Sequence, residues 1–457
     1  MSSELRPSLG SDARVCVDLG TAFSKASVFL GSDLPPTAAV APLPIGAVAG
    51  AEHALLAPSA LYVADGRIRF GAGALRAARA QLGSERDPIL SFKMVLSAGE
   101  LEPTLALKLP PSVDPSRTLC HGDALVLYLA YLDQLVRAAI ALEPSIPVAA
   151  ADAPRRLASP HWRTTENVIS AVRPLVERAA SVSRRLGAQL LDADGVDLSK
   201  AVTALGESVA PPSGAAFAGV VFEAQSAAAA YEAFACSQAP FLLVVDMGAG
   251  TTDFAGFERD PQSGSYALRE IEASRQWCPL AGDELENIVI DLFMRAAGER
   301  DAKARNRLWR ALRLAAQTVK QDIFVKGKAV FQHGRKRVTV HRKALENDAS
   351  YRDFCRALSR TIAASLAPVV AAARHAGADS VSVLLAGGGS ALPFLARLVR
   401  TAAGKSVKIV VEPFGANWTL PHYHHPFTGV FPQLAISMGG ALARTAEGAP
   451  VMSSQLA

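Results

Sequence analysis

The chain has 457 residues, too many for one simple domain and enough to bury two or three cores. Half of them are hydrophobic, 19% charged and 6% aromatic, so the apolar content is mostly small and aliphatic, which excludes a disordered or collagen-like chain. A formal charge of +5 is mild at this length, and five cysteines without a C-x-x-C pair suggest neither a disulfide framework nor a zinc ribbon. The balance predicts a cytoplasmic protein with no nucleic-acid partner. The best apolar run, residues 361–373, is shorter than the roughly 20 residues a spanning helix needs, so no membrane partner is expected. Residues 1–13 lack the apolar stretch of a secretory signal and read as a disordered tail.

In chain order, the first strand signal is Val15-Cys16-Val17, which leads into the turn Asp18-Leu19-Gly20 and a returning strand at residues 26–30. Residues 31–58, punctuated by Pro35, Pro36, Pro42 and Pro44, read as an irregular loop. Apolar spacing predicts helices at residues 124–142 and 165–186, and residues 224–235 form an alanine-rich helix able to approach a neighbour closely. The opening grammar then returns: residues 242–245 lead into Asp246-Met247-Gly248, with a returning strand at 254–257. Two copies imply two related lobes. Helices follow at 284–297 and 306–324, and the basic stretch 326–343, broken by Gly327 and Gly334, reads as a hairpin with a solvated face. Strands alternating with helices give an α/β class.

Three glycine-rich turns carry the chemistry: DLGTAFSKASVF from Asp18, DMGAGTTDF from Asp246 and LLAGGGSALP from Leu384. Glycine lets backbone N–H groups close on an anion without Cβ obstruction, and successive amides make a concave phosphate site. Thr21, Thr251 and Thr252 add hydroxyls at that rim. Asp18, Asp246 and Asp253 would oppose a phosphate unless a cation lay between, which implies Mg²⁺ acting through its waters. The cluster His422, His424 and His425 lacks a second ligand group and reads as a loop.

At these turns the sequence resembles the ATPase superfamily of actin, hexokinase and the seventy-kilodalton heat-shock chaperones, and most closely the chaperone ATPase domain, over most of residues 14–445. PSALYVADGRIRFGAGAL from Pro58 is similar to the segment entering the first peripheral subdomain. SFKMVLSAG from Ser91 resembles the catalytic lysine segment, VVFEAQSAAAAY from Val220 the catalytic glutamate segment, and LAGDELEN from Leu280 the turn opening a nucleotide-facing helix. The resemblance implies a two-lobed actin-like ATPase fold of duplicated ribonuclease-H-like mixed sheets with flanking helices and nucleotide in the interlobe cleft. Lobe I would span 14–237, with a peripheral subdomain at 58–115. Lobe II would span 238–457, with its core at 238–275 and 366–450 and a peripheral subdomain at 276–365.

It also implies roles. Lys93 would orient the attacking water and a γ-phosphate oxygen, Glu223 would hold that water or a water on the metal, Asp18 and Asp246 would organise Mg²⁺ through water, and Thr21 would hydrogen-bond the γ-phosphate of ATP, whose hydrolysis leaves ADP. Gly20, Ala22, Gly248, Gly250, Thr251 and Thr252 would surround the phosphates, Asp253 would polarise the water network, Gly282 and Lys320 would meet the ribose side, and Gly387, Gly388 and Gly389 would lie against the ribose and α-phosphate. Ala391 and Gln321 stand where the chaperones have arginines, Gln317 where they have a glutamate and Phe324 where they have a serine, which leaves base preference open, with Phe324 a candidate to stack on the base. The residues after Pro393 are too few for a peptide-clamping domain. The expected function is a Mg²⁺-dependent ATPase whose lobes close on nucleotide and act on a protein partner. A filament-forming protein capable of self-association and a nucleotide-binding pseudo-ATPase are the alternatives.

Overall fold

The computed structural model describes residues 9–96, 100–160, 165–208, 216–235, 239–259, 268–334, 336–402, 407–413 and 430–443. Each β-branched run with its trailing aspartate becomes the central strand of a mixed sheet. In the first sheet, Arg14–Asp18 pairs antiparallel with Phe23–Phe29 and parallel with Arg155–Ser159, which pairs parallel with Phe217–Phe222; Val40–Pro42 and Ala57–Pro58 add to Phe23–Phe29. In the second, Phe241–Met247 pairs antiparallel with Thr252–Arg259 and parallel with Ser380–Ala386; Leu268–Cys278 and Lys408–Pro413 flank them. Strand order and direction therefore match between the two, and the class is mixed α/β.

Strand alternation sends successive side chains to opposite faces. Val15 and Val17 enter the core beneath helices His121–Leu142 and Thr165–Leu186, while Cys16 faces the middle of the molecule. Leu243 and Val245 likewise enter a core with helices Gly282–Ala297, Ala302–Lys326 and Ala349–His375, while Leu242 and Val244 face the middle. The middle layer is two helices, Glu223–Phe234 and Phe431–Leu442, packed against each other between the sheets. Alanine and glycine make that seam: Ala227 and Ala230 are fully buried, and a Cβ on Gly439 would lie 1.7 Å from the Ser226 carbonyl oxygen. Arg14 Nε donates to Ala441 O (2.8 Å) and Arg156 Nη1 to Gly440 O (2.9 Å), so buried guanidiniums satisfy the last carbonyls of the second seam helix.

Several expectations are corrected. The stretch read as an irregular loop contains the strand Val40–Pro42, where Pro42 is tolerated because that strand is at the sheet edge. Residues 9–13 are no tail: Gly10 N donates to Leu30 O and Asp12 accepts from Ser32 N. Val196–Asp197 pairs with Arg67–Phe70, so the first peripheral unit draws on chain well beyond 58–115. A boundary at 365 would cut helix Ala349–His375 in half. Helix Phe431–Leu442, assigned to lobe II, lies chiefly on the first sheet and on the helix that follows it, because Ser27 and Ser437 hydrogen-bond (2.9 Å) and both arginine caps come from that sheet. Two helices, His121–Leu142 and Ala349–His375, are long and apolar enough to cross a membrane by length and composition, against the shorter run noted above; 72% and 33% of their apolar windows are buried within the protein. The histidine cluster 422–425 lies outside the described residues.

Substituting Gly439→Ala should destabilise the protein by at least about 3 kcal/mol, because the added methyl meets backbone that cannot move alone. Gly206→Ala, with open space around it, should be neutral or slightly stabilising. Urea midpoints for the two variants check this, and equal midpoints would contradict the seam.

Candidate functional site

The first central strand ends at Asp18 and the second one residue past Asp246, and both aspartates line one cleft of about 250 Å³ between the sheets. The hairpins that follow share a register. Opposite Asp18 across its ladder stands Lys25, and opposite Asp246 stands Asp253. Lys25 Nζ lies 2.6 Å from Asp18 Oδ2, so the first hairpin places an ammonium where the second places a further carboxylate. Lys25 was not among the predicted site residues. The repeat of D-x6-K in one hairpin against D-x6-D in the other is the signal that would have found it.

Gly20 is required by its turn, since a Cβ there would lie 2.2 Å from Phe23 O. Gly387 adopts φ +76° and approaches the opposite half so closely that a Cβ would lie 2.3 Å from Asp246 Oδ1. Its N–H donates to Pro432 O at 2.9 Å, tying the third glycine turn to the start of the last helix.

Lys93 and Glu223, distant in sequence, form a buried ion pair. Lys93 Nζ lies 2.6 and 2.7 Å from the two carboxylate oxygens, and the residues are 8% and 3% exposed. Local packing fixes both partners. Phe92 stacks flat on Tyr128 of helix His121–Leu142 (4.2 Å, 7°), which anchors the lysine segment. Tyr128 OH is also 3.0 Å from Ser24 Oγ, and Ser59 Oγ, 3.0 Å from Ser24 Oγ, donates to Gly20 O at 2.7 Å. One tyrosine thus braces the first glycine turn and the lysine together, and nothing in the apolar spacing of its helix singled it out. Glu223 is the first residue of a seam helix, where its charge suits the helix dipole.

The electrostatics follow from crowding. Burial, reinforced by the charges of Asp18, Asp246 and Asp253, pushes the Glu223 carboxyl up to about 8 despite Lys93. Burial pushes Asp246 up to about 7, with Asp253 and Asp18 adding to it and Lys93 opposing it. Burial works against the Lys93 charge, but Glu223, Asp18 and Asp253 outweigh it and hold the ammonium protonated. At the far end Lys320 Nζ pairs with Glu286 (2.7 Å) and lies 3.5 Å from Gly282 O.

Of the predicted residues, Asp18, Gly20, Thr21, Ala22, Lys93, Glu223, Asp246, Gly248, Gly282, Lys320, Phe324, Gly387, Gly388 and Gly389 all line the cleft. Gly250, Thr251, Thr252 and Asp253 do not reach its wall. Thr252 is fully buried and donates to Leu280 O (2.7 Å), and Thr251 donates to Asp253 Oδ2 (2.8 Å), so these hydroxyls brace the second turn from within instead of rimming it. Phe324 is a poor stacking platform: it is 5% exposed, its ring tilted on Phe394 (5.7 Å, 36°), with the Arg342 guanidinium 5.9 Å away. Gln317, Gln321, Val325, Ala391 and Gln433 complete that end, giving it amides and small apolar groups with no arginine among the described residues. Beyond the cleft mouth the two peripheral units touch. Arg310 donates to Asp87 Oδ1 (2.9 Å) and to Glu85 O (3.1 Å), and Arg79 to Leu314 O (3.3 Å).

Among the described residues no group of three or more His, Cys, Asp or Glu side chains could hold a metal directly. The donor chemistry instead fits a hard divalent cation reached through water. Asp18 and Asp246 face one another's half across the cleft, and the raised proton affinities of Asp246 and Glu223 mark excess negative charge that a cation would relieve. Comparisons with protein-family models and with curated proteins found no match to this chain.

A pH dependence follows for the ligand-free protein. Asp246 holds a proton in the folded state at pH values where the unfolded chain has released it, so its contribution is present below its unfolded value and is lost as pH rises through about 7. Thermal unfolding midpoints should fall between pH 6 and pH 9, and Asp246→Asn should flatten the fall. A midpoint that rises over that range would contradict the charge cluster.

Proposed function

We propose that this chain is a Mg²⁺-dependent ATPase of the actin and heat-shock-chaperone type, with an actin-like two-lobed fold, in which nucleotide closes the lobes and the closed form acts on a protein partner. The observation that carries the reading is the equivalence of Asp18 and Asp246, matching strand ends of two like sheets, facing one cleft that also holds the Lys93–Glu223 pair. Phosphoryl transfer to water asks a protein mainly for positioning and charge. Thr21 and the amides of the turns at Gly20 and Gly248 suit the phosphates, and Lys25 and Lys93 supply fixed positive charge beside them. Glu223 is placed to accept a hydrogen bond from water, with Lys93 holding its carboxylate in one orientation. Asp18 and Asp246 would hold Mg²⁺ through coordinated water, and when bound it would neutralise phosphate charge. Without an arginine at the base end, discrimination between purines should be weak.

A second reading, binding without turnover, is favoured by one feature: both carboxylate oxygens of Glu223 lie on the Lys93 ammonium, leaving each group tied to the other. Calorimetry and single-turnover phosphate release separate the two. For the ATPase, Mg²⁺·ATP binds, phosphate is released, and Lys93→Ala lowers release by about 100-fold while leaving affinity within a few-fold. Bound ATP recovered intact selects the second reading, and absence of nucleotide binding removes both.

The contacts between the peripheral units should slow nucleotide exchange. Removing the half-buried ion pair with Arg310→Ala should speed release of a fluorescent nucleotide about fivefold in stopped flow. An unchanged release rate would mean that these contacts do not gate the cleft.

A further inference from the structure

Away from the cleft, an open groove of about 630 Å³ runs between helices Ala349–His375 and Pro393–Ala402. Its cations are all arginine. Arg352 and Arg356 stand one turn apart on the first helix, and Arg397 lines the groove from the second. None is committed to a strong partner: Arg352 donates to the Asn347 carbonyl, Arg356 pairs with Asp353 where both side chains are well over half exposed, and Arg397 has no carboxylate partner among the described residues. An exposed pair of that kind contributes little and exchanges readily. Of the acidic groups on the walls, Glu346 pairs with Arg342 (2.9 Å) and Asp353 only with Arg356 in that exposed pair, so the lining sets three arginines against two carboxylates. The floor is Tyr351, 4% exposed, with the half-buried Cys355 beside it.

We propose that this groove docks an acidic helical segment of a protein partner, with carboxylates one turn apart meeting Arg352 and Arg356 and Arg397 closing on the other side. The inference rests on the protein-partner reading above and names the chemistry of that partner. Guanidinium forks match carboxylates in a bidentate way, and residues four apart on one helix present their charges at the same spacing as residues four apart on another. A lipid surface fits less well because the apolar face of helix Ala349–His375 is already used: Leu358, Ile362, Leu366 and Val369 are buried against the second half of the molecule. The groove is also close to the cleft. Phe394 contacts Tyr351 of the floor (6.0 Å) and Phe324 of the cleft wall (5.7 Å).

The test uses the full chain and a fluorescent helical peptide with glutamates repeated at i and i+4, against the same peptide with lysines. The glutamate peptide should bind by anisotropy, weaken as salt rises, and slow the alkylation of Cys355 followed by mass spectrometry. The triple variant Arg352→Glu, Arg356→Glu, Arg397→Glu changes exposed side chains only, and should weaken that binding at least about tenfold. Nucleotide binding by calorimetry, measured on both proteins, reports on the cleft separately, so loss of the peptide with nucleotide binding intact belongs to the groove alone. The proposal is overturned if the lysine peptide binds equally well or if the triple variant keeps full affinity for the glutamate peptide. It is equally overturned if single-stranded DNA or anionic vesicles bind more tightly than the peptide and lose that binding in the triple variant.

Discussion

The distance between helices Glu223–Phe234 and Phe431–Leu442 governs the cleft. With Gly439 against the Ser226 carbonyl, the helices approach backbone to backbone with no Cβ between, and Gly440 sits as closely on Cys16 Sγ of the first central strand. The two sheets are then held apart by a single thin helical layer, and the ends of their central strands open onto the same space. Larger residues in the seam would widen the helix spacing toward the upper end of the usual 8–10 Å and move Asp246 away from Asp18. The same layer starts with Glu223, so its packing also sets where the glutamate meets Lys93.

The charges make sense once the seam is given. A site for a phosphate chain must hold carboxylates and ammonium groups close together out of bulk water, and each buried ion needs a partner. Lys25 answers Asp18, Lys93 answers Glu223 and Lys320 answers Glu286, all near 2.6–2.7 Å. Asp246 and Asp253 stand opposite one another in the second hairpin, at the register where the first has Asp18 and Lys25, and burial lifts the Asp246 carboxyl. Duplicated geometry with one cationic and one acidic hairpin gives the cleft an uneven field, more negative on its second side.

Much of the site was legible because its signals are local. A strand, an aspartate and a glycine turn within a few residues carry their own geometric meaning, and that grammar, met twice, pointed to two like sheets and to Asp18 and Asp246. Lys93 and Glu223 came from motif likeness, and their contact could not be read from residues 130 positions apart. What was missed depends on partners far away in the chain. The hydroxyls of Thr251 and Thr252 turn inward because Asp253 and Leu280 O are there to accept them. Phe324 is absorbed by Phe394 because hydrophobic burial outweighs whatever an exposed ring would gain. Val40–Pro42 looked like a loop because proline counts against a strand unless the strand has an unpaired edge, which is a property of the sheet.

By itself the sequence determined the two strand–aspartate–glycine hairpins, the long amphipathic helices and the α/β class, since each depends on residues close enough to dictate their own φ/ψ and facing. Only the tertiary structure decided that the last helix belongs with the first sheet, that Tyr128 braces both Gly20 and Lys93, and that Lys25 sits where the second hairpin has Asp253. Those outcomes are set by close packing and by the pairing of buried charge, which sum over contacts between segments that no local pattern brings together.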